Sequence, residues 1–481
     1  MFMLEAPLIG PIVGHLTSTS LRLMAGCKPT SKDKSNIGRV RIKKSSNGTW
    51  EVTKTFRFNR TFYYTGVIEL TELEASTKYD YQMAIVSDEN EASMPNEADW
   101  NSIEVNCFTS RSTASNQPVA FCFGSCLRNS DDGRWGKTLK NVITQNSNKP
   151  IDFMLWLGDQ IYNDEYMWLT PSNTSKQDFA QRYEAFYNNE YVKGVIRQFS
   201  NYMIIDDHEI ENSFTDGAKE YEDTGIPWFS RNKERLINGI GAIYSYQLSH
   251  GPIFTTERDE TQANVRFVKG QNNHQTPARH YESVKITDEV GLFLTDTRKE
   301  RTKQKMMSRE QEDKLLEFLS DTATKVKLIA SSVTFLGDTA KKPKKADNWM
   351  KGYKQRARIL KYIVNKKIEN VVFLSGDIHS HYATQLTVDG LKYKVYQLVS
   401  GSLFWPTGFI INKIRWGKED VNWDYIYGAP SNYGITKPLS DTSKDFFEGN
   451  GIGHVLIEDN SFQFTVYNHD EKRVIRVDLP I

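Results

Sequence analysis

From residue 119 onward, short uninterrupted apolar bursts alternate with stretches of helical periodicity, and this alternation narrows the choice of fold more than any other feature. The bursts are Val119 to Phe123, Phe153 to Leu157, Tyr202 to Ile205, Val290 to Leu294, Val326 to Ser331, Val371 to Leu374 and Val395 to Val399. Runs of this length without a polar face suit strands covered on both sides, as in parallel sheets under helices. Candidate helices fall near 133–146, 176–198, 229–245, 308–322 and 352–367. The predicted class is α/β, a layered domain with much parallel sheet. The last segment returns to strands, Gly453 to Ile457 and Phe462 to Tyr467, which are expected to close the sheet edge.

Ahead of this region the rhythm is different. Thr17 to Met24, Gly38 to Lys43, Trp50 to Phe58, Tyr63 to Leu70, Tyr79 to Ser87 and Ile103 to Phe108 are short alternating runs separated by Asn, Gly, Ser and Lys. That spacing predicts an all-β sandwich, and LTELEASTKYDY (Leu70 to Tyr81) alternates aromatic residues into its core much as fibronectin- or Ig-like sandwiches do. Residues 109–118, TSRSTASNQP, are small and polar and end in proline, which suits a linker. The expected organisation is a sandwich over 1–112, a linker over 113–118 and the layered α/β domain over 119–481.

Composition sets outer bounds. With 38% hydrophobic residues among 481, the chain can bury enough apolar surface to exclude general disorder. Lys and Arg number 61 against 60 Asp and Glu, a formal charge of +1, so no nucleic-acid or membrane partner is expected on electrostatic grounds. No run approaches the roughly 18 apolar residues of a membrane span, and a soluble protein is expected. Met1 to Leu16 carries Glu5 and is broken by Pro7, Gly10, Pro11 and Gly14, so it reads as a strand and not a signal peptide. The expectation is a cytoplasmic protein whose cysteines, Cys27, Cys107, Cys122 and Cys126, are reduced.

The chemistry lies in the residues at the ends of the bursts. They run into Gly124-Ser125-Cys126, Gly158-Asp159-Gln160-Ile161-Tyr162, Asp206-Asp207-His208-Glu209-Ile210-Glu211-Asn212 and Gly376-Asp377-Ile378-His379-Ser380-His381. In open α/β sheets the carboxyl ends of strands meet at one crevice, so thiol, carboxylate, amide and imidazole would converge there. Gly158 and Gly376 are expected to allow tight turns just before the ligands. Carboxylates gathered this way repel one another unless cations neutralise them, and two cations sharing a carboxylate would clamp a phosphate for in-line attack.

Six ordered motifs carry a resemblance to a known family: GSC (Gly124 to Cys126), GDQIY (Gly158 to Tyr162), DDHEIEN (Asp206 to Asn212), LTDTR (Leu294 to Arg298), DNWMKGY (Asp347 to Tyr353) and GDIHSH (Gly376 to His381). Together with GPIVGHLTSTSLRL (Gly10 to Leu23), they resemble the PhoD-like alkaline phosphatases among the calcineurin-like metallophosphoesterases. The resemblance implies a four-layer αββα domain behind a sandwich, hydrolysing phosphomonoesters or phosphodiesters with Fe3+ and Ca2+; Zn2+ or Mn2+ are alternatives within the family. It implies that Cys126, Asp159 and Tyr162 hold the iron, with Asp159 bridging. Asn212 and Asp377 would help to hold calcium, with His379 on the same loop. By family analogy the location is periplasmic or secreted.

Single residues leave alternatives open. Asp159 could cap a helix, Cys126 could be a small buried hydrophobe and Tyr162 a core aromatic. His208 is either structural or a proton donor to phosphate or leaving group, and Asp207 either ligates metal or orients His208. Asp206 reads as a strand-end or capping residue, and Asn212 as an amide ligand or a turn cap. Arg298 could grip phosphate or pair with Asp296, and His381 could support a ligand from behind or contact substrate. Lys341 to Lys345 reads as a solvated loop or a lure for anionic substrate, and Phe404 and Trp405 as core or pocket rim. The expected function is a two-metal phosphoric ester hydrolase, with a phosphate ester as its partner and the oligomeric state open. The alternatives are a phospholipase D-like or nucleotide phosphodiesterase and, from another class, a non-catalytic metal-stabilised binding module.

Overall fold

The computed structural model describes residues 4–480 except 30–36, 47, 53–54, 87–98, 115–116, 131–133, 165–174, 216–232, 253, 258–264, 269–279, 337–346, 388–393, 407–434, 440–445 and 459–460. Lys341 to Lys345 therefore lies outside the described residues. Among the described residues no helix is long and apolar enough to cross a membrane.

Two antiparallel sheets open the chain. Ile9–Leu16, Leu21–Gly26 and Thr65–Leu70 form one; Ile37–Lys44, Lys78–Val86 and Asn106–Thr109, with the short Glu51–Val52 and Phe56–Arg57, form the other. The period-two alternation of Lys78–Val86 sends Tyr79, Tyr81, Met83 and Ile85 inward. There they share one apolar cluster with Val13, Leu23 and Ile68 of the first sheet.

Two larger sheets carry the rest. One has the order Ser200–Met203, Phe153–Trp156, Val119–Gly124, Gly451–Glu458, Ser461–Asn468, Arg473–Pro480, of which the first three strands are parallel. The other runs Glu282–Lys285, Val290–Leu294, Val326–Ser331, Val371–Ser375, Lys394–Ser400, Ser380–Thr387, Ile435–Pro438. Alternate residues of both sheets, such as Phe121, Leu155 and Phe464 from one and Leu292, Leu328 and Leu374 from the other, meet in one buried cluster. The opposite face of the first sheet packs on Lys140–Asn148, Lys176–Asn188 and Glu190–Ile196, and that of the second on Arg309–Ser320 and Tyr353–Asn365. The apolar bursts are strands because each has a core on both faces.

Three expectations need correction. The helix expected over 176–198 is two helices: the Asn189 side chain accepts the N–H groups of Tyr191 and Val192 at 2.9 and 3.1 Å and starts a new helix there. The C-terminal strands do not close an edge. Gly451–Glu458 pairs antiparallel with Val119–Gly124 in the middle of the sheet, where Val455 and Ile457 reach the shared core. Strands at Glu282–Lys285, Ser380–Thr387 and Arg473–Pro480 were not foreseen: the first and last are edge strands with one face polar, and the interior Ser380–Thr387 carries Ser380, His381 and Thr384 where an apolar run would be.

The first two sheets are tied to the larger pair. Ser200 Oγ and Asn201 Nδ2 donate to the carbonyls of Gly14 and Val13 at 2.7 and 3.1 Å, and Tyr81 Oη donates to the Arg197 carbonyl at 2.9 Å. At Gly14 a Cβ would lie 2.2 Å from the His250 carbonyl oxygen, so only glycine permits this approach. Arg111, at the start of the linker-like segment, is anchored by bonds to the Ile286 carbonyl at 3.2 Å and Tyr202 Oη at 2.7 Å.

Candidate metal centre

Register aligns the strand ends. Gly124 pairs beside Trp156 and Trp156 beside Met203, so the segments leaving these three parallel strands emerge at one edge of their sheet. The segment after Val371–Ser375 meets them from the facing sheet: Asp377 N–H donates to Ser125 Oγ at 3.0 Å. Cys126, Asp159, Asp377 and His379 all have left-handed backbone, with φ of 58°, 55°, 68° and 50°. Such conformations cost non-glycine residues free energy, and their concentration at the strand ends marks a site where side-chain placement outweighs backbone ease.

The two glycines act differently. Gly158 has φ +100° and a Cβ there would lie 2.4 Å from Asp206 Cβ, so both conformation and space demand glycine. Gly376 is not left-handed, although the expected tight turn does close there, with Ile378 N–H donating to the Gly376 carbonyl at 2.9 Å. A Cβ there would lie 2.2 Å from Ser125 Oγ, so it serves the close contact between the two sheets' loops.

Asp159 collects three donors. The Cys126 thiol and Tyr162 Oη reach its Oδ2 at 3.4 and 3.2 Å, and His208 N–H reaches its Oδ1 at 3.2 Å. Donor atoms of Asp159, Asp207 and His208 lie within 4.8 Å of one another, as do those of Asp206, Asp207 and Asp377. The carboxylate common to both groups is Asp207, whereas the resemblance assigns bridging to Asp159. Asp206, expected as a strand-end cap, is a fully buried member of the cluster, and its Oδ2 has no hydrogen-bond partner among the described residues.

Burial and crowding push these groups toward neutrality. Burial is the main cause for Asp159, Asp377, Cys126 and Tyr162, all held well above their usual ranges, with neighbouring anions adding to it. Asp206 is raised to about 6 by burial, against the pull of Arg298. A cation would reverse this, since it stabilises the same anions that burial disfavours.

Arg298 is buried inside the acidic cluster. It bonds Asp206, holds Asp347 through two bonds of 2.9 and 3.0 Å, and lies 3.6 Å from Asp207 Oδ1. The expected pairing with Asp296 does not occur: Asp296 instead accepts the backbone N–H groups of Arg298 and Lys299 at 3.0 and 2.8 Å. With its guanidinium committed to carboxylates and its side chain at 0% exposure, Arg298 organises the cluster from within and has no open face for phosphate. His381 is likewise fully buried, its ring nitrogens 3.2 Å from Ser400 Oγ and 3.0 Å from the Gly449 carbonyl, which is a packing role.

The remaining expected residues divide. His379 packs against Trp405 with ring centroids 4.0 Å apart and the rings tilted, and burial together with nearby His208 lowers its pKa to about 4. Asn212 has an exposed side chain, while its N–H donates to Asp164 at 2.7 Å. Phe404 packs in the core, and Trp405 forms a rim, 5.5 Å from the Tyr162 ring.

Asp164 was not foreseen. Its oxygens lie 2.8 and 2.9 Å from His208 Nδ1, although it sits two residues beyond Tyr162 in a motif already singled out. A second unforeseen support is Glu209, which accepts the N–H groups of Gln160 and Asp206 at 3.1 and 3.0 Å and so ties two ligand loops together.

Comparisons with known proteins identify similar chains. A family model described as PhoD-like phosphatase matches residues 121–408. Alkaline phosphatase D of Bacillus subtilis (strain 168) is 23% identical over 291 residues, which cover 56% of this chain and 47% of that protein. The chain thus spans about half the length of the curated relative it matches. A solved PhoD structure matches with a TM-score of 0.68 over 98% of this chain and 89% of that one, at 16% identity, a likeness of fold.

Proposed function

The chain belongs to the PhoD-like phosphatase family, and on that premise we propose that it is a metal-dependent phosphoric ester hydrolase acting on phosphomonoesters or phosphodiesters. The observation that carries this reading is the gathering of Asp159, Asp206, Asp207 and Asp377 at the strand ends, largely out of water, with Arg298 and His208 the cationic groups placed among them. A cluster of that charge calls for further cations.

The donor set fits metal. Cys126, Asp159 and Tyr162 supply a thiolate, a carboxylate and a phenolate, strongly donating anions suited to Fe3+. Asp207, Asn212, Asp377 and His379 supply mainly oxygen and suit a harder ion such as Ca2+, with Zn2+ or Mn2+ as alternatives. When bound, such cations acidify water and neutralise phosphate oxygens.

The chain's own groups do the rest. Arg298 holds Asp206, Asp207 and Asp347 against their mutual repulsion. Asp164 fixes the His208 ring through Nδ1, which leaves Nε2 to carry a proton to the departing ester oxygen. Glu209 keeps the Asp159 and Asp206 loops in register. In this reading residues 1–112 are a fibronectin- or Ig-like sandwich domain, 113–118 a linker, and 119–481 a four-layer αββα catalytic domain.

The test is turnover of 4-nitrophenyl phosphate and bis(4-nitrophenyl) phosphate by metal-loaded and chelated protein, with elemental analysis of both. Metal-dependent hydrolysis of either ester supports the reading, and the ratio between them reports monoester against diester preference. Two bound metals without turnover of any ester would instead support the binding-module alternative.

A further inference from the structure

The α-helix Lys233–Ile243 runs on into one π-helical turn, Tyr244–Leu248, all five of whose residues are buried. Such wide turns are rare and occur frequently at functional sites. Gln247 in this turn reaches toward the metal centre: its Nε2 donates to Glu209 Oε1 at 2.9 Å and to Gln160 Oε1. Glu209 in turn accepts the N–H groups of Gln160 and Asp206, so the amide nitrogen of Gln247, and not its oxygen, has to face that carboxylate. Gln160 adjoins Asp159, and Glu209 shares a loop with Asp206 and Asp207. Gln247 therefore closes the junction between two candidate ligand loops with a bond to a buried carboxylate, a charge-assisted one.

The neighbours of Gln247 face the other way, onto the sheet of Ile9–Leu16, Leu21–Gly26 and Thr65–Leu70. The Ser249 carbonyl accepts Arg22 Nη2 at 2.9 Å, and the His250 carbonyl accepts the His15 N–H at 2.8 Å. Tyr246 packs edge-on against Tyr63 with ring centroids 5.8 Å apart, and Thr65 Oγ1 lies 3.3 Å from the Ser245 carbonyl. One short segment is thus gripped by the N-terminal sheet on one side and holds the base of the carboxylate cluster on the other.

We propose that Gln247 is a positioning residue for the metal centre, and that the N-terminal sheet sets metal affinity through it. The proposal rests on the reading of the carboxylate cluster as a metal site. Gln247 acts through Glu209 and Gln160 and not by ligation. Without its amide, Glu209 Oε1 has one bond fewer and Gln160 Oε1 loses this donor, so the two loops are freer to shift under the repulsion of their own carboxylates. Ligands held less closely to the productive geometry bind an ion less tightly. The sheet matters because a turn gripped at Ser249 and His250 cannot rotate Gln247 away from Glu209.

Mn2+ serves as the probe. Full-length protein is equilibrated with EDTA-buffered Mn2+, bound metal per chain gives the Kd, and the melting temperature in EDTA is recorded beside it. Gln247→Met keeps the length and removes the amide, and is expected to raise the Kd about 10–100-fold, the usual loss when a group behind a ligand is removed. Arg22→Met, on the sheet, is expected to raise it about threefold by itself and to add almost nothing in the Gln247→Met background, because members of one network are not additive. A merely structural glutamine would lower the melting temperature and leave the Kd of the folded protein unchanged. A wild-type Kd in Gln247→Met overturns the proposal even if both nitrophenyl esters are hydrolysed, and so does an Arg22→Met loss that adds in full. Should Gln247→Met not fold, Arg22→Met decides alone: a weakened Kd supports the proposal and a wild-type Kd overturns it. Wild-type protein that binds neither Mn2+ nor Ca2+ overturns the metal-site reading itself, and the proposal with it.

Discussion

His208 Nδ1 lies within 2.9 Å of both oxygens of Asp164, and the same carboxylate accepts the backbone N–H of Asn212, so one acid orients a candidate proton donor and a candidate metal ligand together. Burial pulls the His208 pKa down, but Asp159, Asp164 and Asp207 outweigh it and hold the value well above the usual range. Asp164→Asn keeps the shape and removes the charge. We expect kcat to fall about 10–100-fold with a smaller change in KM, the scale seen when a group behind a site residue is lost. Because His208 then releases its proton earlier, the basic limb of the pH–rate profile moves to lower pH. An unshifted limb with wild-type kcat would remove Asp164 from the mechanism.

Arg298 is the counter-charge built into the cluster. Burial opposes its ionisation, yet Asp206, Asp207, Asp347 and Asp377 raise its pKa well above the usual value. Arg298→Met leaves buried carboxylates unpaired and should destabilise the metal-free protein by about 3–5 kcal/mol, the usual result of removing one side of a buried pair. Added calcium should recover part of that loss, since it supplies the missing positive charge. Thermal melts of both proteins with and without the ion measure this, and a variant as stable as wild type in chelator would show that the carboxylates need no internal partner.

Much of this was legible because strands buried on both faces leave continuous apolar runs. Val290–Leu294 and Val326–Ser331 were bounded to the residue, and Cys126, Asp159, Asp207, His208 and Asp377 were singled out from the ends of such runs. What the sequence hid depends on distance in space. The side-chain partners of Arg298 are Asp206 and Asp347, 92 and 49 residues away, and not Asp296 two residues away, because a side chain as long as arginine reaches across the site more easily than back along its own loop. Edge strands such as Arg473–Pro480 were missed because half of their residues face water. Gly376 stands at the tight turn expected of it, but the close contact with Ser125 that also demands glycine lies on another sheet and was hidden.

Asp296 offers a test of buried charge away from the candidate ligands. Burial raises its pKa to about 7, its Oδ1 accepts two backbone N–H groups, and its Oδ2 has no hydrogen-bond partner among the described residues. A carboxyl whose folded pKa exceeds its unfolded one binds more protons when folded, so its contribution is fully present below about pH 4 and is lost as pH rises through about 7. Asn keeps the accepting oxygen and cannot ionise. Asp296→Asn should therefore match wild type near pH 4 and gain on it progressively to pH 8, by up to about 4 kcal/mol, in denaturant melts. A stability difference that does not vary with pH would show that Asp296 is neutralised by a neighbour instead, with His280 Nδ1 at 3.5 Å the group in position to do so.

Asp159 should give opposite results in the two metal states. In the metal-free protein its charge is disfavoured first by burial, then by Asp206, Asp207 and Glu209, with the His208 charge acting the other way. Removing that charge in Asp159→Asn relieves repulsion, so the chelated variant should melt no lower than chelated wild type, and higher above neutral pH. In the loaded protein the same charge attracts the cations. Its loss should lower metal content by at least one ion and turnover by roughly 10³-fold, since several kcal/mol of electrostatic stabilisation disappear. Stability held or gained together with lost metal and lost rate is a signature that a merely structural aspartate does not produce, because such a residue would lower the melting temperature in both states. Elemental analysis, melts in chelator and initial rates on one preparation of each protein decide between the two.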